Sequence, residues 1–160
     1  MSPTLTRLLP WPPALFIAWV FLWYLQYKFT GHPGSVHLFT ILTNWLGFPG
    51  YEAVMRIGTG MAELIASLLI LYPRTQGLGA LMSTGIMTGA IFFHVVSPLG
   101  IDPYDDGADL FKKACVVWVL GLGIAYLRRA DLIALWTLVR TNALLLPAKE
   151  VCPCPLRLRR

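Results

Sequence analysis

The sequence has little charge. Of 160 residues, 13 are Lys or Arg and 8 are Asp or Glu, a charged share of 13%, where a soluble domain carries about 25%. Without those polar groups a chain of one-domain length cannot cover itself in water, which excludes an ordinary soluble enzyme. Cysteine is scarce too: Cys115, Cys152 and Cys154. An odd, sparse count is no disulfide framework. Cys115 lies in an apolar run and reads as a small core residue. Cys152-Pro-Cys154 is a C-x-C pair with no third or fourth ligand nearby, so it reads as an incidental tail pair and no metal is assigned. Repeats, low-complexity tracts and lipidation motifs are missing.

What the chain has is apolar bulk. The hydrophobic share is 56% and the mean hydropathy +0.63. A helix needs about 20 mostly apolar residues to cross about 30 Å of hydrocarbon. Four stretches offer this, at about 11–29, 53–72, 77–96 and 110–127, and they predict an all-α four-transmembrane-helix bundle within residues 1–130. Pro12 and Pro13 suit the first turn of the first helix. Pro73 and Pro98 follow the second and third. The fourth is short unless Lys112 and Lys113 snorkel. Trp11, Trp23, Tyr24, Tyr27, Tyr51, Tyr72 and Tyr126 lie near span ends, as an aromatic belt would. With one basic residue before it, Arg7, and no cleavage site after it, the first stretch reads as a retained span, not a signal peptide.

A fifth apolar stretch covers 131–146. Leu132, Leu135, Trp136, Val139 and Ala143 fall on one helical face, which predicts an amphipathic helix lying in the interface, a short re-entrant helix being the alternative. Residues 147–160 form a basic tail.

The net charge of +5 takes its meaning from position. With the N-terminus inside, the inner side holds Arg7, Arg74, Arg128, Arg129, Arg140, Lys149, Arg157, Arg159 and Arg160 against Asp131 and Glu150. The outer side holds Lys28, Lys112 and Lys113 against Glu52, Asp102, Asp105, Asp106 and Asp109. Arg56 and Glu63 cancel within a span, which leaves +7 inside and −2 outside. The bias predicts both termini in the cytoplasm and outer loops at about 30–52 and 97–109. It also gives the basic tail a lipid-facing role; no folded basic surface points to nucleic acid.

Ionisable groups within spans are costly and face the bundle interior. Glu63 stands near the middle of the second span and has to be protonated or partnered. Arg56, Gly60, Glu63 and Ser67 form one stripe, with Arg56 about two turns above Glu63. The stripe reads equally as an Arg–Glu site, direct or through water, and as an interhelical clamp. Gly79, Ser83, Met87, Ala90 and His94 form a stripe on the third span, with His94 at the depth of Arg56 and Lys28. Lys28 reads either as a snorkelling anchor or as a fourth member of a pocket with Arg56, Glu63 and His94. Trp23, Tyr24 and Phe93 would supply its flat walls. Such a pocket suits a quinone head group, with donors for its carbonyls and Glu or His for the coupled proton. Gly85-x-x-x-Gly89 is a close-packing motif, for internal packing or for a homo-oligomer.

Haem would need a second membrane His beside His94, and His32 and His37 both fall in the outer loop, so haem is set aside. The run from Asp102 to Asp109 is calcium-loop-like, but ligand positions three and twelve would be Tyr104 and Lys113, which breaks the pattern.

Three segments resemble the DoxX family of small four-span membrane proteins: Tyr27-Lys-Phe-Thr-Gly31 at the end of the first span, Gly58-Thr-Gly-Met-Ala-Glu-Leu-Ile65 in the second, and Gly89-Ala-Ile-Phe-Phe-His94 followed by Pro98-Leu-Gly100. The resemblance covers about 14–127. Gln26-Tyr27 stands where the family often has Gly before the Lys. The resemblance implies a bacterial inner (plasma) membrane protein, with Lys28, Gly60, Glu63 and His94 at motif positions. Some relatives are associated with quinone-linked sulfur or thiol oxidation, others act with soluble redox enzymes, and some animal relatives resemble assembly chaperones. Two readings follow: a membrane subunit of a quinone-linked redox system, whose reductant is a partner protein or diffusing substrate, and a non-enzymatic assembly or anchoring factor. A transporter is a third, for which four spans are few unless the protein oligomerises.

Overall fold

The structure, a computed structural model, describes residues 8–145, and within them all regular structure is helical. Arg7, the tail from residue 146 on and the Cys152–Cys154 pair lie outside the described residues. The helices are α1 (Trp11–Phe29), α2 (Pro33–Trp45), α3 (Glu52–Leu71), α4 (Gln76–Val96), α5 (Asp109–Leu127) and α6 (Arg129–Leu145). Three of them, α3, α4 and α5, are long and apolar enough to cross a membrane, which marks an integral membrane protein. Helix α1 equals α5 in length, with 19 residues.

The boundaries follow local chemistry. Pro12 and Pro13 occupy the first turn of α1, where an N–H has no helical acceptor. Pro73 ends α3, and Ser97-Pro98 ends α4. Helix α2 occupies part of the stretch expected as an outer loop. Its start is built from the residues that read as a loop: the His32 Nδ1 accepts the Gly34 N–H at 3.2 Å as N-cap, and Pro33 takes the first helical position. At its end Gly47 turns left-handed, with φ +82. The Phe48 N–H then reaches the Thr43 carbonyl at 2.8 Å and the Gly47 N–H that of Asn44 at 3.2 Å, a Schellman closure. With 13 residues α2 is too short to span.

Going round the bundle, α1 packs on α3, α3 on α4, α4 on α5, and α5 back on α1. Helices α1 and α4 therefore stand diagonally opposite. The end that carries α2 and the 97–108 loop is the upper end, and α6 lies at the lower end against α4 and α5. The lower half is packed through small residues. A side chain at Gly79 would run into the backbone of Leu69 and Ile70, and one at Gly121 into Thr84. At Gly77 a Cβ would meet Leu132 at 3.0 Å and Arg128 at 3.1 Å, so α6 lies hard against α4. Small residues at such seams let backbones approach closely where lipid supplies no hydrophobic drive. Ile17, Ile70 and Val117 fill the space between them without exposure.

Helix α6 puts Leu132 against the core, while Trp136 is 68% exposed. Val139 and Ala143, also on its expected apolar face, are outside the described side chains. Cys115 is half-buried beside Val116 and Val119, not in the core as the apolar run suggests. Its neighbour Ala114 takes the core-facing position instead.

Candidate functional site

The upper half of the bundle is hollow. A cavity of about 650 Å³ lies among α1 to α5, within the size range of small-molecule sites, about 300–1,000 Å³. Phe21, Leu38, Phe39, Met87 and Phe93 give it apolar walls, and Tyr24, Lys28, Glu63, His94 and Lys113 are its principal polar lining. Helix α2 roofs it: Leu38, Phe39 and Leu42 face in and pack with Leu99, Met55 and Phe93. Tyr104 fastens that roof, its hydroxyl donating to the Gly34 carbonyl at 2.9 Å. Burial, and then the charge of Asp106, push the Tyr104 phenol above its ordinary value, so it remains a donor at neutral pH.

Glu63 is 4% exposed and holds an ion pair with Lys28, whose Nζ donates to its two carboxylate oxygens at 2.8 and 3.0 Å. The partner of Glu63 is thus Lys28, from another helix. Arg56, expected to share a site with Glu63, turns upward. It pairs with Glu52 and donates to the Lys28 carbonyl, and it does not line the cavity. The reason is distance along the helix. Seven residues separate Arg56 and Glu63, about 10 Å of rise, whereas Lys28 at the end of α1 reaches down between the helices. Arg56 fixes the chain at Lys28 and so positions the ammonium from behind. Gly60 allows this approach of α1 and α3: a Cβ there would lie 2.9 Å from the Phe29 ring.

His94 is buried, and its Nδ1 donates to the Gly100 carbonyl at 2.7 Å. A carbonyl only accepts, so the proton sits on Nδ1, and Nε2 is the nitrogen that can serve a ligand. The Phe111 ring meets the imidazole edge-on at 5.7 Å. His94 shares the cavity with Lys28 and Glu63, but no hydrogen bond joins it to them.

Sequence reasoning missed a second polar group. The Tyr24 hydroxyl donates to Asp109 Oδ2 at 3.2 Å and accepts from Lys113 Nζ at 3.2 Å, and Lys113 also pairs with Asp109. Tyr24 carries Lys113 at 5.4 Å and Lys28 at 6.0 Å from its ring centroid, and so stands between two ion pairs. Asp109 reads as an outer charge and Lys113 as an outer, snorkelling lysine, with no link between them or to Tyr24. Their i,i+4 spacing in the first turns of α5 was the available signal.

Two expected parts of the site are placed elsewhere. Trp23, expected as a wall, is 48% exposed on the outside of the bundle, because one residue along a helix is a turn of about 100° from Tyr24. Gly85 and Gly89, read as a close-packing motif, close no contact within the chain: a Cβ at either would meet nothing within 4 Å, and both line the cavity. The acidic loop folds on itself, with Asp102 accepting the N–H groups of Asp106 and Gly107, each at 3.0 Å. Among the described residues no three His, Cys, Asp or Glu side chains converge as metal ligands.

No protein-family model, no curated protein and no solved structure matches the chain.

Proposed function

We propose that this is a four-span membrane protein that binds a quinone-type head group in the upper cavity, as the membrane subunit of a quinone-linked thiol or sulfur oxidation system. The observation that carries this reading is the roofed, largely apolar cavity of about 650 Å³ with the Lys28–Glu63 pair and His94 on its wall. A quinone needs an apolar slot for its ring, donors for two carbonyl oxygens, and groups that exchange protons as it is reduced. Tyr24 and Phe93 supply flat walls. Lys28, and the Nε2 of His94 when that nitrogen is protonated, supply donors. Glu63, in contact with Lys28, is the carboxyl group that relays protons to the quinone oxygens as the quinone is reduced. Electrons come from a thiol- or sulfur-oxidising partner, since no redox centre is built from these side chains.

Helix α1 is the fourth span in this reading. Leu15, Trp19, Leu22 and Trp23 make one continuous exposed apolar surface on it, as lipid contact requires. The charge bias then sets the upper end outside and both termini in the cytoplasm of a bacterial inner membrane. The resemblance to DoxX proteins points the same way.

The test is direct. Lipid-reconstituted protein is extracted for co-purified quinone and titrated with a short-chain benzoquinone analogue. Binding by wild type, weakened about tenfold or more in Glu63→Gln, supports the reading. No binding, or equal binding by both, refutes it. The assembly-factor reading draws on the exposed Trp136 face of α6. In that case deletion of 131–160 abolishes partner recovery while the cavity variants do not.

A further inference from the structure

The cavity is not sealed from the side. On α4 the buried stripe runs through Gly79, Ser83, Met87 and His94. Gly85 is two positions from both Ser83 and Met87, about 200° around the helix, so it lies on the opposite side. That side is the apolar outer surface, which it shares with Leu78, Leu81, Phe92 and Val96, all 40% exposed or more. Gly58 on α3 is likewise two positions from buried Arg56 and Gly60, and it sits among the outward-facing Val54, Met61 and Ile65.

Gly58 and Gly85 are therefore gaps in a wall of large side chains. Yet both also line the cavity, together with Ala62 and Gly89, where it passes between α3 and α4. A Cβ at Gly58, Gly85 or Gly89 would meet nothing within 4 Å. Glycine weakens a helix, and here no close packing offsets that. The same seam is shut lower down, where Gly79 is pressed on the Ile70 backbone. It is covered above, where Trp45 of α2 meets Phe93 of α4 edge-on at 6.2 Å. What remains is a window at the depth of the apolar spans, with the Lys28–Glu63 pair behind it.

We infer that the α3–α4 window is a lateral portal through which the ligand head passes from the bilayer to the cavity, and in which its hydrocarbon tail lies when bound. This rests on the quinone reading and makes the ligand lipid-borne: a benzoquinone with an isoprenoid or alkyl tail. A ligand of this class would never cross the α2 roof or meet bulk water. The bare backbone at Gly58 and Gly85 sets the width of tail that fits.

The experiment uses the full chain reconstituted in zwitterionic phospholipid vesicles. Two probes are titrated: an isoprenoid-tailed benzoquinone supplied in the bilayer, and a short-chain, water-soluble benzoquinone analogue. The variants are Gly85→Leu and Gly58→Leu, with Gly85→Ala as the milder step, and melting temperature and particle mass are read alongside. The expected result is that the Leu variants melt no lower than wild type and keep the short-chain analogue within about twofold, while the tailed probe weakens about tenfold or more, Gly85→Ala falling between. Equal retention of both probes overturns the portal, and so does equal loss of both, which would make the glycines part of the head-group wall. A particle mass that halves in Gly85→Leu also overturns it, because the glycines would then be a dimer contact. Failure of wild type to bind the short-chain analogue is a different result, and it removes the quinone reading itself.

Discussion

The two halves of the bundle use the same residue types for opposite ends. In the lower half, glycine removes a side chain so that a neighbouring helix can take its place: Gly79 receives the Ile70 backbone, Gly121 the Thr84 side chain, and Gly77 the Leu132 side chain. In the upper half Gly60 still receives Phe29, but along the α3–α4 seam Gly58, Gly85 and Gly89 remove side chains and nothing takes their place. The polar groups divide the same way. Ser83 and Thr84 below are spent on their own helix, each hydroxyl donating to a carbonyl one turn back at 2.8 and 2.9 Å. Lys28, Glu63, Tyr24 and Lys113 above reach across to other helices. A small residue in a membrane helix therefore says little until its neighbour is known. Four apolar helices can be tight at one end and hollow at the other without any change in composition.

The comparison is broken most severely at the ion pair. Lys28→Met leaves Glu63 buried and alone, and should cost about 3–5 kcal/mol. It is read as a fall in thermal stability of the lipid-reconstituted protein. The double variant Lys28→Met with Glu63→Leu should recover most of that loss, because an apolar pair of similar volume needs no partner. No recovery would mean that the pair holds the helices together by more than mutual neutralisation.

The next test separates the glycines. Gly79→Leu forces α3 and α4 apart and should destabilise by about 1–3 kcal/mol or more. Gly85→Leu, the same change six residues on, should be neutral or stabilising by about 1 kcal/mol through helix propensity. Equal melting temperatures for the two variants would erase the distinction between the halves.

Smaller effects belong to the polar fittings of the upper half. Tyr24→Phe removes one hydroxyl between Asp109 and Lys113 and should cost about 1 kcal/mol, measurable as a modest shift in melting temperature. Tyr104 should give the smallest effect, with a sign fixed by its raised value. A group protonated more tightly in the folded state contributes stability that is intact below the ordinary phenol value of 10.0. That stability is lost as pH rises through the raised folded value. Stability followed from neutral to strongly alkaline pH should therefore fall slightly more in wild type than in Tyr104→Phe, the effect being small because Tyr104 is partly open to solvent. A parallel fall in both would show that the Tyr104 phenol is no more buried in the folded than in the unfolded chain.

Much of the fold was legible because it rests on local patterns. Long apolar runs ended by Pro73 and Pro98 place helices within a residue of their observed ends, and the two buried stripes were readable from i,i+4 spacing. Helix α2 was not legible: its Gly31-His-Pro-Gly34 start carries loop residues that in place are an N-cap and a first-turn proline. Of the site, Glu63 and His94 were readable as costly groups in apolar surroundings, and both line the cavity. The partner of Glu63 was not, because it depends on which helix stands beside α3. Spacing along one helix favoured Arg56; packing of α1 against α3 at Gly60 delivered Lys28. The grouping of Tyr24 with Asp109 and Lys113 escaped for the same reason: Tyr24 was readable as a cavity wall, but the three meet only when α1 and α5 close the ring.

A photoreactive short-chain quinone, cross-linked to the reconstituted protein and mapped by peptide mass, tests the ligand cavity most directly. Labelling confined to the upper cavity wall, on residues such as Tyr24, Lys28 and Phe93, and suppressed by excess unreactive analogue, is the expected result. Labelling of the outer Trp19 and Trp23 face that excess analogue does not suppress would contradict it.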